Sequence, residues 1–341
     1  MFEEPTVLIV GAGGSADFGA PTGKTILDAL LSEPLNRTID AYNIGTDLFQ
    51  TDFLNFLRFN GFDREKQAMQ ALLDKARSSV APSIDLFAYH NAEILDVSKL
   101  YSTWKILGGL YEVKHDFRKN TPPHVRPTNK WREPRRDKST TWLAHLTRKY
   151  LENCDSAADL NKNNLSVITF NYDTILEDAL RHLIRSNQRY ADADKNAFPT
   201  VHHVFGKFPD LQSGISPSEI HEASRAIRYM YELDGLASED GQLPTLQQAM
   251  KKAAYVYIVG FDLNKRNVEL IGLKESQANK FALNFDGNPG LHSRLINAGV
   301  KAEHIMSGNH KAPLYASTAC DQGFFELADY YPKTKHTITF V

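Results

Sequence analysis

Cysteine is nearly absent from this chain of 341 residues: only Cys154 and Cys320 occur, far apart. Two thiols cannot build a four-cysteine structural zinc site, and they give no basis for a disulfide framework. Net charge is equally scant. Lys and Arg number 39 against 41 Asp and Glu, a formal charge of −2, so the chain as a whole exerts no pull on nucleic acid or an anionic membrane. Long apolar runs are missing too, and nothing reaches the ~18–20 consecutive residues that a membrane-spanning helix needs. Glu3 and Glu4 open the chain and an apolar strand follows at once, which is not the layout of a secretion signal. These shortages lead to the expectation of a cytoplasmic protein with no zinc and no membrane partner. No internal repeat or low-complexity tract is present.

What is there is an ordinary globular composition, 42% hydrophobic and 23% charged, long enough for one large domain or two modest ones. The most informative stretch comes first. Val7-Leu8-Ile9-Val10 reads as a buried parallel strand, and Gly11-Ala12-Gly13-Gly14-Ser15 follows it. Glycines let a backbone approach a ligand closely, where a Cβ would intrude. Behind them, Thr22 to Leu31 has helix formers with apolar residues at Ile26, Leu27, Leu30 and Leu31. Strand, glycine loop and helix start together suit a phosphate, although an ordinary structural turn would use the same residues. Gly11-x-Gly13-x-x-Ala16 fits the dinucleotide pattern loosely, but the acidic tip of a second strand about 20 residues on is missing. Glu33 falls near that distance, within what reads as a helix end. A dehydrogenase-type half is therefore disfavoured.

From Asp47 to His115 the periodicity is helical and no strand signal interrupts it. One stripe runs through Leu48, Phe49, Phe53, Leu54, Phe56 and Leu57. A second helix, Arg64 to Ser79, turns Ala68, Met69, Leu72 and Leu73 inward. A third, Ala92 to Val113, carries Ile94, Leu95, Leu100, Trp104, Leu107 and Leu110. Lys114 to Lys138 then holds nine Lys or Arg against Asp116, Glu133 and Asp137, broken by Pro122, Pro123, Pro127 and Pro134. Such a stretch is either a solvated loop or a contact surface for a partner or a nucleic-acid backbone. Ser139 is a candidate N-cap for a helix through Trp142, Leu143, Leu146 and Leu151. Leu165 to Phe170 is a second buried strand, ending in Asn171-Tyr172-Asp173 before a helix from Thr174. Ligands of open α/β sheets gather outside such carboxyl ends. Asp173 can equally cap the helix; Asn171 has less of a structural excuse. A third strand spans Thr200 to Phe205 and turns at Gly206, with His202 and His203 as candidate bases or as a half-exposed pair with one core histidine. Loop and helix follow over residues 210 to 252. Ala254 to Val259 is a fourth strand, entering Gly260-Phe261-Asp262-Leu263-Asn264. Phe281 to Phe285 and Thr337 to Val341 are further strand candidates, and Pro289 to Ala298 a helix.

These segments resemble those of the SIR2-like family, the sirtuin-fold NAD-consuming domains of prokaryotic antiphage defence. Gly11 to Ser15 with Phe18-Gly19-Ala20-Pro21-Thr22-Gly23 is similar to the family's phosphate and ribose loop. Ser83-Ile84-Asp85-x-Phe87 resembles a motif of its helical insertion. Phe170-Asn171-Tyr172-Asp173-Thr174-Ile175-Leu176-Glu177 is similar to its Asn-Tyr-Asp segment and is the most specific match. His203-Val204-Phe205-Gly206-Lys207 resembles its His-Gly segment, and Gly260 to Asn264 with Asn267 its late loop near the adenosine half of NAD. The motifs reach from residue 9 to about residue 270. Many relatives carry histidine directly before the glycine, where this chain has Phe205; variants with histidine two residues earlier point to His203, with His202 the other candidate.

The resemblance implies a Rossmann-like parallel sheet of sirtuin type over residues 1–341, with a helical insertion over residues 33–160. It implies NAD as substrate, cleaved to nicotinamide and ADP-ribose, with Asn171, His203 and Asp173 catalytic. Gly11, Ala12, Gly13, Ser15, Phe18, Pro21, Thr22, Gly206, Gly260, Phe261 and Asn267 would bind it. A second reading keeps the binding and drops the chemistry: an NAD or ADP-ribose sensor or scaffold, favoured by Phe205. The missing zinc ribbon argues against a protein deacylase. Implied partners are a second copy of the chain, a HerA-type ATPase or a short Argonaute, with nucleic acid touched only indirectly or through residues 114–138.

Overall fold

The computed structural model describes residues 1–32, 49, 52–81, 83–113, 129–131, 142–209, 215–233, 242–284, 288–307 and 324–330. The apolar position at Leu48, the N-cap at Ser139, the strand at Thr337 to Val341 and most of the basic stretch (114–128 and 132–138) lie outside those residues. Among the described residues the strands are β1 (Thr6–Val10), β2 (Tyr111–Val113), β3 (Asn129–Trp131), β4 (Leu165–Thr169), β5 (Thr200–His203), β6 (Tyr255–Val259), β7 (Asn279–Asn284) and β8 (Ile305–Ser307).

Six of them form one sheet in the order β5-β4-β1-β6-β7-β8, every neighbouring pair parallel. Numbered by their turn in the chain, these strands read 3-2-1-4-5-6, the doubly wound order of Rossmann-like α/β folds. Strand β1 is the point of reversal. Its five residues are all buried, with β4 on one edge and β6 on the other. A strand covered on both faces and both edges has no solvent side, so after Thr6 it is built from Val, Leu and Ile without polar alternation. Burying Leu8 and Ile9 completely stabilises the fold by about 1.5–3 kcal/mol each.

The chain forms two compact units: Met1–Asp17, Pro134–Val204 and Ala237–Val341 make the first, Phe18–Glu133 and Phe205–Leu236 the second. In the first, one face of the sheet packs Val7, Ile9, Ile168, Val256 and Ile258 against Leu246 and Met250 of the helix Gln242–Lys252 and Leu295 of Pro289–Asn297. Tyr257 packs with Phe281, Phe324 and Phe325, and its hydroxyl donates to the Phe325 carbonyl at 3.1 Å.

The second unit holds the helices Gly23–Leu31, Phe53–Phe59, Asp63–Arg77, Ile84–Tyr89, Leu95–Leu110 and Pro217–Ala226. Phe53, Phe56, Met69, Leu72, Leu73, Leu100, Trp104 and Leu107 are buried, as their periodicity predicts; Leu31 is 40% exposed and departs from it. The expectation that no strand interrupts Asp47 to His115, and that the third helix runs on to Val113, needs correction. The last helix stops after Gly108 and Gly109, and Tyr111 to Val113 becomes β2, antiparallel to β3. Two successive glycines weaken a helix, and Tyr and Val favour a strand. Gly109 also has a packing reason, since a Cβ there would lie 2.4 Å from the Gly19 carbonyl oxygen. No helix among the described residues is long and apolar enough to cross a membrane.

Candidate functional site

At the carboxyl edge of the first unit's sheet, Val10 of β1 stands in register with Thr169 of β4 and Val259 of β6. The glycine loop is tied to the loop after β6. Gly11 N–H donates to the Val259 carbonyl (3.0 Å) and Gly13 N–H to the Gly260 carbonyl (2.9 Å). Closeness, not an unusual backbone, demands glycine at position 11: φ is −113°, and a Cβ would lie 2.5 Å from the Gly260 oxygen. Gly260 meets both demands, with φ +61° and a Cβ position 2.0 Å from Gly14 N. Ala12–Ser15 then forms a single helical turn. From the helix Trp142–Leu151, the Trp142 indole N–H donates to the Gly14 carbonyl at 2.8 Å. Two of the amides expected to cradle a pyrophosphate, those of Gly11 and Gly13, are thus engaged within the protein.

Ser15 is the hub of a buried chain of hydrogen bonds. Its hydroxyl donates to Asp173 Oδ1 (3.1 Å) and accepts from Asn171 Nδ2 (2.8 Å). Asp173 Oδ1 also accepts from the Ile175 N–H (3.2 Å), so it helps to cap the helix Ile175–Arg185 while serving this chain. Burial pushes the Asp173 carboxyl up to about 6, against the opposing pull of the Ser15 and Ile175 hydrogen bonds. At neutral pH it is therefore mostly ionised, and a carboxylate only accepts. Ser15 must spend its hydrogen on Asp173 and take one from Asn171. That fixes the Asn171 amide, whose Oδ1 is buried and has no hydrogen-bond partner among the described residues. An orphaned buried acceptor costs about 1–3 kcal/mol, so it is a place where a ligand hydrogen is welcome.

His203 closes the other side. Its Nδ1 lies 2.9 Å from the Asn171 carbonyl oxygen and its Nε2 lies 2.7 Å from Glu177 Oε1. Both ring nitrogens are therefore engaged within the protein. Its neighbour His202 is half-buried, and burial foremost, then the nearby His203, lowers its pKa. Phe170 and Phe261 stack at 4.5 Å between ring centroids, at the ends of β4 and β6. Asn267, in the helix Lys265–Leu270, is buried, and its Oδ1 also lacks a partner among the described residues.

The structure thus brings Gly11, Gly13, Ser15, Asn171, Asp173, His203, Gly260 and Phe261 together in the first unit. Phe18, Pro21, Thr22 and Gly206 belong to the second. There Thr22 caps the helix Gly23–Leu31 by accepting from the Thr25 N–H, and Gly206 turns the chain at φ +79°. Its Cβ would stand 2.3 Å from the Ala226 oxygen. Two residues at the site were read otherwise from the sequence. Glu177 stood within a motif without a role; its signal was an acid one helical turn beyond Asp173. Trp142 read only as core. No group of His, Cys, Asp or Glu that could hold a metal ion occurs among the described residues. In comparisons with known proteins, no family model and no curated protein matches the chain.

Proposed function

We propose that this chain takes NAD and hydrolyses its nicotinamide–ribose bond, releasing nicotinamide and ADP-ribose. The observation that carries the reading is Asn171 Oδ1, a buried acceptor without a partner at the carboxyl edge of a doubly wound sheet. The resemblance of the glycine loop, the Asn-Tyr-Asp segment and the late loop to the SIR2-like family supports it. Nicotinamide is already a cation in NAD, so its C–N bond breaks without an acid and leaves an oxocarbenium-like ribose. Asn171 Oδ1 accepts from a ribose hydroxyl or from the attacking water, fixing its place against the reacting carbon. The water oxygen bonds to that carbon and its proton passes to solvent. Asp173, through Ser15, keeps the amide turned the right way. Asn267, Phe261 and the Gly260 turn border the adenosine half, and Ala12 and Ser15 lie nearest the pyrophosphate. The finer assignments, a sirtuin-type sheet with helices inserted after the first strand and a role in antiphage defence with a HerA-type ATPase, a short Argonaute or a second copy of the chain, belong to the same proposal.

A second reading is favoured by Phe205 and by the engagement of both His203 nitrogens: the site holds NAD or ADP-ribose without cleaving it. Nicotinamide release separates the two. Purified chain incubated with NAD should release nicotinamide, and Asn171→Ala should abolish that release while leaving the melting temperature within a few degrees. Binding of NAD by calorimetry without any release would favour the sensor. Unchanged turnover in Asn171→Ala would overturn the catalytic role of that residue.

A further inference from the structure

We propose that Glu177 and His203 form a positioning pair that holds Asn171 for its ligand, an inference that rests on reading this site as the NAD site. The polarity of the hydrogen bonds leads there. The Asn171 carbonyl oxygen can only accept, so the His203 nitrogen facing it, Nδ1, carries a hydrogen. A neutral ring would then turn the bare lone pair of Nε2 toward Glu177 Oε1 at 2.7 Å, lone pair against lone pair. Both side chains are about nine-tenths buried, at 6% and 10% exposure, where water cannot relieve that repulsion. A proton must lie between Nε2 and Oε1, and it belongs to the ring, because an imidazole is ordinarily more basic than a carboxylate. The ring is then tied at both ends, to β4's loop and to the helix after it, and offers no lone pair to water or to a ribose hydroxyl.

The pair completes the immobilisation of a single residue. Asn171 N–H donates to Thr169 Oγ1 (3.1 Å), its carbonyl accepts from His203 (2.9 Å), and its Nδ2 donates to Ser15 (2.8 Å). Every polar atom of Asn171 is engaged except Oδ1. A residue fixed at three points with its fourth polar atom left for a ligand is preorganised, and misplacing such an atom by about 1 Å can cost about a hundredfold in rate.

The test uses the full chain labelled with ¹⁵N-histidine, in which the signal missing from His203→Gln identifies the ring. Nitrogen–proton correlation should show hydrogens on both His203 nitrogens. In Glu177→Gln, Nδ1 should keep its hydrogen while Nε2 becomes an acceptor from the glutamine amide; a bare Nε2 in the unmodified protein would overturn the pair. Asn171 side-chain amide hydrogens should exchange slowly in the unmodified protein and in Glu177→Gln, and quickly in Glu177→Ala. NAD turnover should follow, with kcat falling about 10- to 100-fold in Glu177→Ala, KM little changed, and most activity restored in Glu177→Gln. Unaltered amide exchange in Glu177→Ala would overturn the positioning role, and recovery of His203→Ala by free imidazole would show a base where we place a positioning residue. If the unmodified chain cleaves no NAD, the proposed reaction fails; the ring hydrogens and the amide exchange still decide the pair.

Discussion

Asp173 is an acid kept where water hardly reaches, and its titration has two consequences. An unfolded aspartate titrates near about 3.9. Burial pushes the folded one up to about 6, so between those values the native chain holds a proton that the unfolded chain has released. The contribution of this group to stability is therefore fully present below about pH 4 and is lost as pH rises through about 6. Denaturant unfolding of the unmodified protein and Asp173→Asn, repeated from pH 4 to pH 7.5, should show the former losing stability relative to the latter over that window; a constant difference would refute it. The catalytic consequence has the opposite sense. A protonated Asp173 can donate, so Ser15 is no longer obliged to point toward it and the Asn171 amide loses its director. If the site hydrolyses NAD as proposed, turnover should fall as pH drops through about 6, a limb visible in kcat. Asn171, Asp173 and Ser15 were each legible in the sequence, because strand ends and glycine loops concentrate chemistry. Their pairing was not: Asn171 and Ser15 are 156 positions apart, and nothing local states which way an amide turns. The pairing of His203 with Glu177 was not legible for the same reason, since the two sit 26 positions apart.

At the level of elements, the loop after β6 and the loop after β1 are packed so closely that one glycine serves both. Gly260→Ala would force a Cβ to within 2.0 Å of the Gly14 nitrogen at a backbone angle already unfavourable for alanine. Gly61 provides the control: its φ is +75°, yet nothing lies within 4 Å of its Cβ position. Gly61→Ala should cost only the backbone penalty of about 1–2 kcal/mol. Gly260→Ala should cost well over twice that, seen as a lower unfolding midpoint or as insoluble protein. Equal costs would mean that the two loops are not in contact. The strands β1, β4 and β6 were legible because strands covered on both faces are rich in Val, Ile and Leu. The three-residue strands β2 and β8 were not, since so few residues carry no period.

Taken as a whole, the molecule has two cores, and damage to one should stay local. Phe53 lies 5.0 Å from Tyr101, 5.3 Å from Trp104 and 5.7 Å from Phe56 between ring centroids, all in the second unit. Phe53→Ala should remove about 3–5 kcal/mol there. Hydrogen exchange should then accelerate over Phe53–Phe59, Asp63–Arg77 and Leu95–Leu110, while β1, β4 and β6 keep their protection. Loss of protection across both units would show that they unfold together. That the chain is α/β with a parallel sheet was legible from a few apolar runs ending in glycine or asparagine. The boundaries of the units were not, because the second unit gathers residues from both sides of β4 and β5, a return that only the fold displays. The place of β1 also matters before the protein is complete. It lies in the middle of the sheet, yet β4 begins at residue 165 and β6 at residue 255. At a synthesis rate of about 5–20 residues per second, β6 leaves the ribosome roughly 12–50 seconds after β1. For that interval a nascent apolar strand waits with at least one edge bare, so the yield of this protein in a cell should depend on whatever shelters that strand.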